Sequence, residues 1–122
     1  MERDWEKDFQ PIPFPNQMTN TAINIAKDFV RMVSENGIPV DSAYVFGSYA
    51  KGHAKTDSDI DVCIISRKFG KDYIKEMVDL RKIALKIDSK IEPIAFGVND
   101  LNDKYSSLAT EIRQSGILVP IS

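Results

Sequence analysis

A turn and a pair of acids constrain this chain more than anything else in it. A strand-like run, Val40 to Phe46, ends in Gly47-Ser48, and Asp59-Ile60-Asp61 then opens a second apolar run, Val62-Cys63-Ile64-Ile65. Small residues at the end of a strand leave backbone N–H groups free to hold phosphate oxygens. Carboxylates at i and i+2 of a strand point to one face, roughly 6–7 Å apart, so their oxygens can converge on hard divalent cations. Together the two elements point to chemistry on a nucleoside triphosphate.

Two commoner motifs fail. Gly47 and Gly52 have the spacing of a Walker A loop, but His53 and Ala54 stand where its lysine and hydroxyl belong. Asp57, Asp59 and Asp61 match the start of an EF-hand loop, which needs glycine sixth and glutamate twelfth. Those positions hold Val62 and Lys68.

The rest of the chain alternates helical and strand patterns. The first segment, 1–15, ends in Pro11-Ile12-Pro13-Phe14-Pro15 and reads as an extended arm, with 16–122 as one domain. Met18, Ala22, Ile25, Phe29 and Met32 mark one face of a helix over 16–36, stopped by Gly37 and Pro39. Strands follow over 40–46, 59–66 and 90–97, with a short helix starting at Ser48. Tyr73, Met77, Leu80, Ala84 and Ile87 mark a helix over about 71–88, and Leu101, Tyr105, Leu108 and Ile112 a last helix or broken pair. Ile117 to Ile121 closes the chain as a short strand. An α+β fold with a mixed sheet and helices mainly on one side follows.

Composition narrows the function. At 122 residues, with 43% hydrophobic and 28% charged residues, the chain suits one soluble globular domain. A formal charge of −2 gives no general attraction to nucleic acid. Lys51, His53, Lys55, Arg67 and Lys68 nonetheless surround the acids and could face a triphosphate. The single cysteine, Cys63, cannot form an internal disulfide and fits a reduced, cytoplasmic setting. No apolar stretch approaches the ~20 residues needed to cross a bilayer.

Val45-Phe46-Gly47-Ser48 followed by Ser58-Asp59-Ile60-Asp61-Val62 resembles the signature of the DNA polymerase β-like nucleotidyltransferase superfamily. The nearest likeness is to its minimal nucleotidyltransferases, small proteins often paired with a helical HEPN partner. The resemblance implies a third acid on a later strand, and Ile91-Glu92-Pro93-Ile94 supplies it at Glu92, with Asp88 as the competitor. Proline after Glu92 departs from the pattern and removes one strand donor.

The resemblance further implies that Asp59, Asp61 and Glu92 are catalytic and hold two Mg²⁺ ions. Gly47, Ser48, Lys51 and Ser58 would bind the nucleotide, ATP or another NTP. The implied reaction moves AMP to a hydroxyl of a partner protein, in the manner of an antitoxin modifying a HEPN toxin. A binding module that masks its partner and a small-molecule (antibiotic) nucleotidyltransferase are the alternatives. No membrane role is expected, and self-association is left open. The strands and their helices use nearly the whole chain, so the acceptor site is expected to be completed by another polypeptide.

Overall fold

The computed structural model describes residues 16–121, so the proline-rich arm lies outside the described residues. Helix α1 (Gln17–Glu35) begins where the Asn16 side chain accepts the Thr19 N–H at 2.7 Å. It ends before Gly37, whose φ of +84° only glycine adopts freely. Strand β1 (Ser42–Phe46), the single-turn helix α2 (Ser48–Lys51) and strand β2 (Ile60–Ile65) follow. Helix α3 (Tyr73–Ile87), strand β3 (Ile91–Phe96), a 3₁₀ turn (Asp100–Asn102), helix α4 (Ser107–Ser115) and strand β4 (Ile117–Leu118) complete the order. Asp72 and Ser106 cap α3 and α4 by accepting the amides of Lys75 and Ala109.

The sheet runs β3-β2-β1-β4. Strand β1 lies antiparallel to β2 and β4, whereas β2 and β3 are parallel. A parallel pair needs a crossover, and α3 supplies it. Central β2 is apolar toward both faces, as a strand covered on both sides must be. Ile60, Val62 and Ile64 pack with α1 and α3 residues such as Phe29, Val33 and Leu80. Cys63 and Ile65 join Phe46, Phe96, Ala109 and Ile112 on the opposite face. The two long helices therefore share one side, as expected, and the shorter α4 covers part of the other.

Cys63 is a buried free thiol, and burial with the charge of Asp100 pushes it up to about 12. It behaves as a small hydrophobe. Among the described residues, no helix is long and apolar enough to cross a membrane.

Some boundaries differ from the sequence reading. The second strand starts at Ile60, whose N–H donates to the Lys90 carbonyl at 2.8 Å, and not at Asp59. Asp59 thus immediately precedes the first paired residue of the strand. The closing strand is only two residues long, because β1 pairs with it at Tyr44 and Val45 alone.

Candidate active site

The acid face of the sheet is the side covered by α4. Residue alternation puts Ile60 and Val62 toward the long helices. Asp61, between them, is turned the other way, toward the end of the sheet that α4 leaves partly open. Antiparallel register sets Asp61 opposite Phe46, and parallel register sets it beside Glu92. Gly47 follows Phe46 directly. A Cβ built on Gly47 would lie 2.1 Å from Asp61 Oδ2, so the acid's carboxylate rests against the turn's bare α-carbon. With φ +72° and ψ −148°, Gly47 also holds a conformation essentially reserved for glycine.

Ser48 opens α2 next to that contact, where amides at a helix start have no intrahelical acceptor. Helix α2 itself is anchored to α1: Tyr49 is buried, and its carbonyl accepts the buried Thr19 hydroxyl at 3.2 Å. Tyr49 is therefore a packing group. His53 is exposed and donates only its amide, to the Ser48 carbonyl.

Charge is concentrated at Asp61. Partial burial, then the neighbouring Asp59, Glu92 and Glu111 in that order, push its carboxyl up to about 6. Asp61 thus feels three other carboxylates around the turn. Glu92 also has a cationic partner: Arg81 of α3 reaches the edge strand, donating to the Ile91 carbonyl at 2.7 Å and lying 3.4 Å from Glu92 Oε1. Among the described residues no three His, Cys, Asp or Glu side chains are placed to hold a metal ion together.

The remaining predicted residues divide. Lys51 lies beside the site on α2, with its ammonium 3.0 Å from Glu111 Oε1 and not directed at the turn. The Ser58 hydroxyl accepts the Lys55 N–H at 2.8 Å, which stiffens the loop ahead of Asp59. Asp88 caps the far end of α3, accepts the Lys90 amide, and lines a cavity of about 300 Å³ with Met18, Tyr49 and Ile60 on the long-helix side. It is separated from Asp61 by the sheet, and so is a poor third acid.

Sequence reading missed Glu111 and Arg81. Glu111 precedes the buried Ile112 on α4, and its partner Lys51 is 60 residues away, so no local spacing marks it. Arg81 carries a faint signal, lying between core positions Leu80 and Ala84 of the α3 face.

No curated protein sequence matches the chain. Among solved structures, it is similar to a protein from Sulfolobus solfataricus assigned as a nucleotidyltransferase, with TM-score 0.62 and 17% identity over 84% of this chain and 82% of that one. It is also similar to a chain of a toxin–antitoxin complex solved with AMP-PNP, with TM-score 0.59 and 25% identity over 81% and 74% of the two chains. A third likeness is to a chain of the complex between a tri-AMPylated HEPN toxin of Shewanella oneidensis and its MNT antitoxin, with TM-score 0.54 and 21% identity over 85% and 73%. The family model described as "Polymerase beta, Nucleotidyltransferase" matches residues 27–121. With that match spanning the turn, both acids of the pair and every strand, the chain belongs to the polymerase β-type nucleotidyltransferase family.

Proposed function

We propose that this chain transfers AMP from ATP to a hydroxyl of a partner protein, a helical HEPN-type toxin for which it serves as antitoxin. The observation that carries the reading is the contact between Gly47 and the Asp61 carboxylate, which joins an anion-binding turn to an acid cluster. Family membership supplies nucleotidyl transfer as the general activity. The similar complexes, one with AMP-PNP and one holding an AMPylated HEPN toxin, support the nucleotide and the partner.

The donor set fits magnesium. Mg²⁺ is usually held by one or two carboxylates together with substrate phosphates and water, so a closed protein cage is not required. Asp59 and Asp61 would hold the ions, with Glu92 completing the site, and bound ions would stabilise charge on the attacking and leaving oxygens.

The chain's own residues do the rest. Amides at the Gly47-Ser48 turn and the Ser48 hydroxyl bind the β- and γ-phosphates, and Lys51 exchanges Glu111 for phosphate. The acceptor oxygen forms a bond to the α-phosphorus while the bond to pyrophosphate breaks. Its proton passes to a carboxylate, Glu92 being placed for this once it leaves Arg81. Orientation of the acceptor is left to the partner, and orientation can contribute several kcal/mol to such a barrier.

One observation favours the second reading, a binding module that masks its partner: the Glu92 carboxylate is already paired with Arg81. A single experiment separates the two. The purified chain is incubated with ATP, magnesium and a candidate HEPN protein, and the partner is weighed by mass spectrometry. Added AMP that disappears with Asp59→Asn supports transfer. Equal inhibition of the partner by the Asp59→Asn protein, without added mass, makes masking the function, and rapid labelling of a small antibiotic alone removes the partner from the reaction.

A further inference from the structure

Helix α3 carries more apolar surface than its own core uses. Met77, Leu80, Ile83, Ala84 and Ile87 form the face that packs on the core, and Leu80 and Ala84 are fully buried in it. One residue further round lies a second row, Ile74, Val78, Arg81 and Leu85, at the i, i+4, i+7, i+11 spacing of a helix face. Its three apolar members are 77%, 46% and 55% exposed. A third row follows, Lys75, Asp79, Lys82 and Lys86. Lys75 and Asp79 neutralise each other at 2.7 Å, whereas Lys82 and Lys86 are exposed and have no ion pair among the described residues.

We infer that this face of α3 is a docking surface for an amphipathic helix of another protein, with acidic residues along the edge that meets Lys82 and Lys86. The spacing fits a helix, since a seam of this period is covered by a partner presenting the same period. The acidic edge follows from charge: Arg81 is taken up by the Ile91 carbonyl and Glu92, which leaves Lys82 and Lys86 as the uncompensated charges along one half of the rim, and opposite charges across a rim steer encounter and fix register. A second copy of this chain fits less well. Laid antiparallel along the row, its midpoint falls between Val78 and Arg81, so the copy brings Lys75 and Asp79, already paired with each other, to the Lys82 and Lys86 rim and supplies no free acid there. The surface does not depend on the chemistry of the acid cluster, and an inactive protein would carry it unchanged.

The test uses the full chain and two labelled helical peptides, read by fluorescence anisotropy. Both peptides carry leucines at i, i+4, i+7 and i+11; one borders them with glutamates and the other with lysines. The glutamate peptide should bind at least tenfold more tightly. Ile74→Asp with Val78→Asp, both exposed positions outside the core, should weaken it tenfold or more, and Lys82→Glu with Lys86→Glu should reverse the preference between the peptides. Equal binding of both peptides, no binding in the millimolar range, or binding unmoved by the Ile74 and Val78 changes would overturn the inference. So would sedimentation showing a dimer that the same two changes dissolve, which would make a second copy the occupant.

Discussion

Asp61→Asn should make the metal-free protein more stable while abolishing nucleotide transfer. The side chain keeps its shape against Gly47 and loses only its charge. In the folded chain the Asp61 carboxyl is raised from 3.8 to about 6, by partial burial first and then by Asp59, Glu92 and Glu111. A rise of about two pH units corresponds to about 3 kcal/mol at 1.36 kcal/mol each. Asp61 is partly exposed, and solvent screening reduces this to about 1 kcal/mol. The direction is fixed by linkage. Between about pH 4 and 6 the folded state keeps a proton that the unfolded state has lost, so stability falls as pH rises through that window. Below it both states are protonated and the penalty is absent; above it the penalty is complete.

Urea unfolding with a chelator present, at several values from pH 4 to pH 7.5, measures the difference between the two proteins. The Asn variant should be ahead by about 1 kcal/mol at pH 7, or about 4 °C in Tm, and level with the wild type near pH 4. Magnesium with ATP should invert the order at pH 7, because only the wild type gains binding energy in its folded state. An Asn variant that is less stable at pH 7, or a difference that does not change with pH, would refute the electrostatic account of this site.

Three further outcomes test the surroundings. Gly47→Ala should cost about 2 kcal/mol or more, since its φ is +72° and the new Cβ would stand 2.1 Å from Asp61 Oδ2; adding Asp61→Gly should recover part of it in a double-mutant cycle of urea melts. Glu92→Gln should lower the Asp61 titration midpoint seen by carboxyl NMR and impair turnover more than ATP binding, whereas Arg81→Met should raise that midpoint and Asp88→Asn should leave both nearly unchanged. Glu111→Gln releases Lys51 from its ion pair and should tighten ATP binding by roughly two- to fivefold in isothermal titration, the scale of a partly exposed pair.

The parts of this fold legible in the sequence are those set by short-range periodicity. The two long helices announce themselves through apolar positions every three or four residues, and the ends of the first through Asn16 and Gly37; the Asp72 cap of the second was not read. The apolar run of β2 shows that both its faces are covered, but not by what. Covering α4 packs Ala109 and Ile112 on strands far back in the chain, and a contact of that kind leaves no trace in local spacing. The same division runs through the site. The Gly-Ser turn and the Asp pair lie close in sequence and were readable. The partner of Glu92 is Arg81, arriving around the sheet edge, and the partner of Lys51 is Glu111, 60 residues away.

Gly47 shows why even the readable part was read incompletely. From sequence, its small size serves the approach of phosphate oxygens to the backbone. The register of the sheet adds a requirement internal to the protein. Because Phe46 pairs with Asp61 across the antiparallel ladder, the next residue must pass beside the Asp61 carboxylate. Any side chain there would push the acid away from the turn. Glycine is thus needed by the fold itself, to let the acid and the turn occupy adjoining space. The resulting crowding is one that carboxylates tolerate poorly alone and that a cation bound with the triphosphate would relieve. Turn and acid pair, separated by a short loop in sequence, are in this sense a single structural unit.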